Sequence, residues 1–436
     1  MSVRHGGNPR PNNLLVSTCR SVLIATLLVV FATTPARAQS GLPLTMAEAE
    51  DLALAAEPGR LALEAQADAL NERAVVAGAL PDPMLRVGLN NFPIESGGFS
   101  TEGMTQLAAS YRQVFPAGKT RSLSFEKFGL LAESMSENAA MRGRNVRTAT
   151  QNAWLELYFL DHAEALIHES RPLFSDLAEI TRSLYSVGRK NQQDVLRAEL
   201  ELSRLDDRLI DIERRRARAR AELAEWIGVE AERPIASNFP RWTVVPPKTE
   251  LEQGLSEHPA VLAAQAQIGA SEAEVSIADE RSKPDWALDI GYGYREGNLP
   301  SGEPRSDFVT VGVTVGLPFF NKKSVDSTLT AALHDRSAAR SSKLRLEREL
   351  GRQLDAVYAE WQELSRRLAL YDSEILTQSK NQVDAALLAY QSDAGDFADV
   401  MRASIDDLNT RIEHLRLSVD RAQSYALLAN LGGLTP

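Results

Sequence analysis

The chain has one cysteine, Cys19, in 436 residues, so downstream of it there is no thiol, no disulfide and no thiolate metal site. Its six histidines do not cluster, and its seven methionines are scattered. His162 and His168 are six apart on a predicted helix, off any one face, and read as solvated polar positions rather than metal ligands. No phosphate loop, zinc signature or nucleophile elbow is present. No catalytic, cofactor-binding or metal-ligating residue is therefore assigned, and the expectation is a protein without a cofactor that is not an enzyme. Beyond the N-terminus no stretch approaches the ~18 to 20 apolar residues of a spanning helix. If this chain crosses a membrane, it does so with strands.

The N-terminus reads as a leader. Arg4, Arg10 and Arg20 precede an apolar run from Val22 to Phe31, and Ala36-Arg37-Ala38 offers a small-residue cleavage site. Residues 1–38 are expected to be a secretory signal peptide, with the mature chain starting at Gln39. Cys19 precedes the apolar run, so it is not placed as a lipid-anchoring residue. The formal charge of −11 becomes −15 once the four arginines of the leader are removed. An acidic exported chain is a poor candidate for nucleic-acid binding.

The chain writes one stretch twice. Tyr185 is followed by Gly188 and by Asp194-Val195-Leu196-Arg197-Ala198, while Tyr390 is followed by Asp399-Val400-Met401-Arg402-Ala403, each matched position shifted by 205. Behind the first copy, apolar residues recur at Val195, Ala198, Leu202, Leu205, Leu209, Ile212, Ala219, Leu223 and Trp226. Behind the second they recur at Ile405, Leu408, Ile412, Leu415, Val419, Ala422 and Ala426. This spacing is that of a coiled-coil seam, and the long period is that of a duplicated unit rather than a solenoid.

Each half has one order of elements. A helical region (Leu44 to Leu80, broken near Pro58-Gly59; Glu250 to Arg281) stops at Pro81 or Pro284, where proline disfavours helix in the residue before it. The period then becomes two. Leu85, Val87 and Leu89 alternate with Arg86, Gly88 and Asn90, and Leu107, Ala109, Tyr111, Gln113 and Phe115 share a face closed by Pro116. In the second half Trp286, Leu288, Ile290, Tyr292 and Tyr294, then Val309, Val311, Val313, Val315 and Leu317, repeat that pattern up to Pro318. The strands are predicted at about 84–92, 104–116, 286–295 and 307–317. Long helices follow, from Lys119 to about Val187 with a possible break near Pro172, and up to Tyr390 with a seam from Leu350 to Tyr371. The division is residues 39–228, a proline-rich connector at 229–249, and residues 250–436.

Strands of about ten residues with one apolar face suit a transmembrane barrel. Four cannot close one, since eight is about the smallest number that side chains fill, and bare edges cannot sit in lipid. Three copies would give twelve strands and two would give eight. A soluble sandwich capping a coiled coil is the alternative from pattern alone.

Duplicated halves, two strands in each, paired long helices and the Tyr…Gly…Asp-Val-Leu-x-Ala tip together resemble the TolC-like outer-membrane efflux channels over nearly the whole mature chain. Gly78-Ala79-Leu80-Pro81-Asp82-Pro83, Met104-Thr105 and Gln113-Val114-Phe115-Pro116-Ala117-Gly118-Lys119 are similar to the heavy-metal branch, which serves copper/silver or cobalt/zinc/cadmium pumps. The fold class implied is mainly α with a β membrane part. Long coiled-coil helices would form a periplasmic α-barrel, and four strands per chain would contribute to a trimeric twelve-stranded outer-membrane barrel. The resemblance also implies an outer-membrane location reaching into the periplasm, contact with lipid, a periplasmic adaptor and an inner-membrane pump of the RND type as partners, and a passive exit duct for heavy-metal cations. Export of organic drugs or of a type I secretion substrate by the same channel is the alternative. A periplasmic coiled-coil adaptor and a secreted enzyme are further ones, the first opposed by the proline-bounded strand pairs and the second by the missing catalytic constellation.

The resemblance places a periplasmic gate at Tyr390, Asp399, Arg402 and Asp194, and an adaptor-contacting tip at Val187, Gly188, Arg189, Asp393 and Gly395. Asp399 falls where an acidic ring would line the constriction. The family's second acid, three residues on, is Arg402 here, so closure by Asp/Arg pairing is the competing reading. Asp399 is equally accounted for as a helix-start acid facing its own dipole and Asp194 better so, Tyr390 equally as turn packing, and Gly188 as a helix stop. The basic run Arg214, Arg215, Arg216, Arg218 and Arg220 reads as a solvated helix face, with salt bridging to acidic neighbours as its alternative.

Overall fold

The structure, a computed structural model, describes residues 42–432 apart from 56, 190 and 393. The expected leader at 1–38 and the tip residue Asp393 lie outside the described residues. Two short helices open the chain, α1 (Met46–Ala55) and α2 (Pro58–Gly78). Pro58 occupies the first turn of α2, where its missing N–H costs nothing, and the Glu57 carboxylate caps the Arg60 N–H. The strands β1 (Met84–Asn90) and β2 (Gln106–Phe115) follow. Next come α3 (Thr120–Ser186) and α4 (Gln192–Ile227). At 67 residues, α3 reaches about 100 Å, and it runs through Pro172 without ending.

After the connector and a short α5 (Lys248–Gly254) the order recurs, with α6 (Pro259–Glu280), β3 (Trp286–Tyr294) and β4 (Phe308–Val315). Then come α7 (Lys322–Leu370), a π-helical turn at Tyr371–Ile375, α8 (Leu376–Gln391) and α9 (Phe397–Gly432). The chain is mostly helical with one four-stranded antiparallel sheet in the order β1-β2-β3-β4.

The seams read from the sequence are the buried stripes. In α4 they bury Val195, Ala198, Leu205, Ile212, Ala219 and Leu223; in α9, Leu408, Val419, Ala422 and Ala426; in α7, Leu350, Leu354, Leu364 and Leu368. The largest core lies around the middle of α3, where Trp154, Leu155, Leu160 and Phe174 are all fully enclosed. The Trp154 indole N–H donates to the Leu44 carbonyl at 2.9 Å. Leu44 in turn bridges to the connector: its N–H donates to Pro234 at 2.7 Å, and its carbonyl accepts from Ala236 at 3.0 Å. Arg233, 7% exposed, reaches Glu48 through both terminal nitrogens at 2.8 and 3.1 Å and the Leu42 carbonyl through Nε at 3.1 Å. Residues 42–48 are thus fastened to the segment joining the halves.

Every arginine of the run has an acidic partner, so the salt-bridged alternative holds, while Arg214 and Arg218, 68% and 78% exposed, also form the expected solvated face. Arg215 meets Glu156 at 2.8 Å, Arg216 meets Asp161 at 2.9 Å and also Glu164, and Arg214, Arg218 and Arg220 pair with Asp211, Glu222 and Glu232. Glu156 also takes Arg416 at 2.6 Å, which ties α3 to α4 and α9 together.

His258 caps α6, its Nδ1 accepting from the Ala260 N–H at 3.3 Å, while its Nε2 is buried with no hydrogen-bond partner among the described residues. Burial, reinforced by the Arg144 charge, lowers its pKa from 6.5 to about 4. Between those values the unfolded chain binds a proton that the folded chain refuses, so stability is full above pH 6.5 and falls as the pH drops towards 4. The expected loss is about 3 kcal/mol. His258→Asn replaces the Nδ1 acceptor at the cap with a side-chain oxygen and should flatten that part of the unfolding-midpoint-versus-pH curve. An unchanged slope in the variant would refute the assignment.

Candidate functional site

Two regions carry features beyond packing: the turns at the far ends of the long helices, and the sheet. At the first turn Gly188 has a φ of +74°, its N–H donating to Tyr185 at 2.9 Å while the Arg189 N–H reaches Leu184 at 2.9 Å. That is a Schellman stop, in which a left-handed residue satisfies the last helical carbonyls. Val187 stands exposed beside it, and Asp194 lies in the first turn of α4.

The second turn is built differently. Its glycine, Gly395, has an ordinary φ but a close approach: a Cβ there would stand 2.9 Å from the Ala389 Cβ and 3.3 Å from the Tyr390 nitrogen. Tyr390 lies edge-on to Phe397 with ring centroids 6.0 Å apart. Phe397 is itself fully buried, with Val400 and Met401 behind it. Sequence reading missed Phe397. Its counterpart 205 positions earlier is Gln192, and that difference between the copies was the available signal.

Asp399 accepts from Arg402 at 3.1 Å, one turn along the same helix, with both side chains exposed. Such a pair is worth up to about 1 kcal/mol, but it places a cation directly beside the carboxylate. Tyr390, Gly395, Asp399 and Arg402 thus belong to the α8–α9 turn, and Val187, Gly188, Arg189 and Asp194 to the α3–α4 turn.

The sheet has one predominantly apolar face and one predominantly polar face, with Gln113 on the first and Met84, Val114 and Phe308 on the second. In register, Leu85, Tyr111, Ile290 and Val311 run across all four strands, as do Val87, Ala109, Tyr292 and Val309. These side chains are uncovered, with Leu85 73%, Val309 72% and Val311 67% exposed. The opposite face carries Arg86, Asn90, Gln106, Ser110, Arg112, Asp289, Thr310 and Thr314 between glycines and alanines, and all of these polar residues but Arg112 and Thr314 line a trough of about 280 Å³. Aromatic rings mark both ends: Phe115 stacks on Trp286 at 4.1 Å near the helices, and Phe99 on Tyr294 at 6.2 Å near the loops. Nine residues of β3 span about 30 Å. That matches the height of a membrane band between aromatic girdles. β1 and β4 each leave one edge unpaired within the chain.

The loops beyond the sheet are stapled together. Arg305 donates to the carbonyls of Ser100, Glu102 and Glu296, and Arg295 to those of Gly103 and Ser306. Among the described residues no helix is long and apolar enough to cross a membrane, and no group of three side chains could hold a metal ion.

The fold is that of solved outer-membrane channels. The structure is similar to one described for CusC in a study of transmembrane channel formation, at a TM-score of 0.75 and 14% identity, covering 89% of this chain and 92% of that one. It is also similar to the outer membrane protein VceC of Vibrio cholerae, at 0.73 and 17%, covering 89% and 96%. Protein CyaE of Bordetella pertussis is 27% identical over 275 residues, 59% of this chain, and the match spans little more than half (56%) of that relative's length. Residues 251–434, nearly the whole of the second half, match the family described as outer membrane efflux protein.

Proposed function

We propose that this chain is the outer-membrane channel of a tripartite efflux system, a passive, water-filled duct whose energy comes from an inner-membrane pump. The observation that carries the reading is the sheet, apolar over nearly all of one face and mostly small or polar over the other, with aromatic rings near both ends and both edges unpaired within the chain. Four strands with bare edges are stable in lipid only if other copies complete them, and three copies make a twelve-stranded barrel. The two repeats, residues 39–228 and 250–436, would each supply two strands and one long helical pair, and the helices would continue the duct through the periplasm. The reading includes a homotrimer, a periplasmic adaptor meeting Val187, Gly188, Arg189, Asp393 and Gly395, and a pump of the RND type. Heavy-metal cations are the cargo suggested by the motifs around Pro81 and Pro116. The matched second half and the channel fold support this reading over an adaptor or an enzyme.

Closure is assigned to Tyr390, Asp399, Arg402 and Asp194, with opening as a shift of packed helices rather than chemistry. The purified protein should run as a trimer and conduct in planar bilayers. Asp399→Ala combined with Tyr390→Phe should raise single-channel conductance at least about twofold if the turns are the narrowest point; an unchanged conductance would remove the gate assignment. In a deletion strain, sensitivity confined to copper, silver, zinc, cobalt or cadmium would support the metal cargo. Sensitivity to dyes and antibiotics alone would leave the duct and discard the metals.

A further inference from the structure

The polar face of the sheet contains every Arg, Lys, Asp and Glu of the four strands, and there are three of them: Arg86, Arg112 and Asp289. They sit within two adjacent rungs. Arg86 is level with Ser110, Gly291 and Thr310, and Arg112 is level with Asp289 and Gly312. Asp289 is committed twice, facing Arg112 at 3.7 Å and accepting from the Thr314 hydroxyl at 2.8 Å. Arg86 is exposed and has no carboxylate partner among the described residues.

A second copy would not supply one from its sheet. Arg86 is on the edge strand β1, and in a closed barrel the strand beside it is β4 of the next copy. The polar face of β4 carries Phe308, Thr310, Gly312 and Thr314, with no acid among them. The neighbouring small residues (Gly88, Ala108, Ser110 and Gly291) leave the guanidinium open to the trough rather than packed over. Each chain therefore contributes one uncompensated positive charge at one level of the polar face. The surrounding chain is acidic overall.

We propose that Arg86 is a selectivity residue of the channel lumen, forming with its symmetry mates a basic belt that favours anionic over cationic permeants. This rests on the channel reading, which turns the apolar face to lipid and the polar face inward. Arg112 contributes position more than charge, since Asp289 offsets it. Bare metal cations meet the belt as a barrier, whereas anionic species, negatively charged metal complexes included, are drawn to it. The belt thus assigns the cargo a net negative or complexed form where it crosses the membrane.

The test is the reversal potential of the full-length assembled protein in planar bilayers across a KCl gradient. Dilute salt is needed because the screening length is about 10 Å at 0.1 M and about 30 Å at 0.01 M. Arg86→Gln should lower the chloride-to-potassium permeability ratio about twofold, Arg86→Lys should leave it in place, and Asp289→Asn should raise it. The opposite signs separate a charge effect from a general disturbance of the sheet. A ratio unmoved by Arg86→Gln in a conducting channel overturns this inference alone. A wild-type protein that does not conduct overturns the channel reading, and the belt falls with it.

Discussion

Val311→Arg is expected to abolish assembly in a membrane, while Thr310→Arg, one residue away, is expected to assemble. Val311 lies mid-strand on the apolar face, in register with Ile290, Tyr111 and Leu85, and Thr310 lies on the face of Arg86 and Asp289. Arginine on the lipid face near the midplane of a barrel costs about 2–4 kcal/mol. The cost recurs in every copy, so a trimer would carry it three times, a total comparable with the marginal stability typical of folded proteins. The measurement is the yield of membrane-inserted, heat-resistant oligomer after expression or refolding into vesicles. Equal yields for the two variants would mean that neither face meets lipid, leaving a soluble sheet capping a coiled coil.

Arg233→Met should destabilise the chain by about 2 kcal/mol, within the range of a hydrogen bond to a charged group, since Arg233 is buried but the Glu48 side chain is 39% exposed. It leaves Glu48 and Glu230 without their common cation and removes the donor to the Leu42 carbonyl. The Arg233 hydrogen bonds hold the Glu48 carboxyl below its usual range. Stability from this pair is therefore present at neutral pH and is lost as acid protonates Glu48. Adding Glu48→Gln to Arg233→Met should recover part of the loss by removing the stranded charge. Chemical unfolding of the four members of this cycle gives the coupling directly, and a coupling near zero would show that the junction is held by the Leu44 backbone bonds and Trp154 alone.

Much of this architecture was legible because it is periodic. The strands announce themselves by a period of two between prolines, and the seams of α4, α7 and α9 by their three-four spacing. The glycine stop at Gly188 was legible too, since a left-handed residue leaves a local mark. What escaped depends on distance in sequence. The partners of Arg215 and Arg216 are Glu156, Asp161 and Glu164, more than fifty residues away on α3, so a local window sees only a basic run. Arg402 beside Asp399 lies within one turn and could be seen. Gly395 could not be understood from its own conformation, only from the nearness of Ala389. The π turn was hidden because Tyr371 continues the apolar seam of α7, and an extra residue in the hydrogen-bond ladder leaves no compositional trace.

That π turn has a counterpart in the other repeat. Pro172 lacks the N–H that would bond to the carbonyl four residues back, so α3 carries a gap in its ladder at that point. Pro172 precedes Tyr185 by 13 residues, and the π turn ends 15 residues before Tyr390. At the rise of a helix, both defects stand about 20 Å from their turns. Different chemistry has thus interrupted the helix hydrogen-bond ladder at about the same distance from the turn in each repeat.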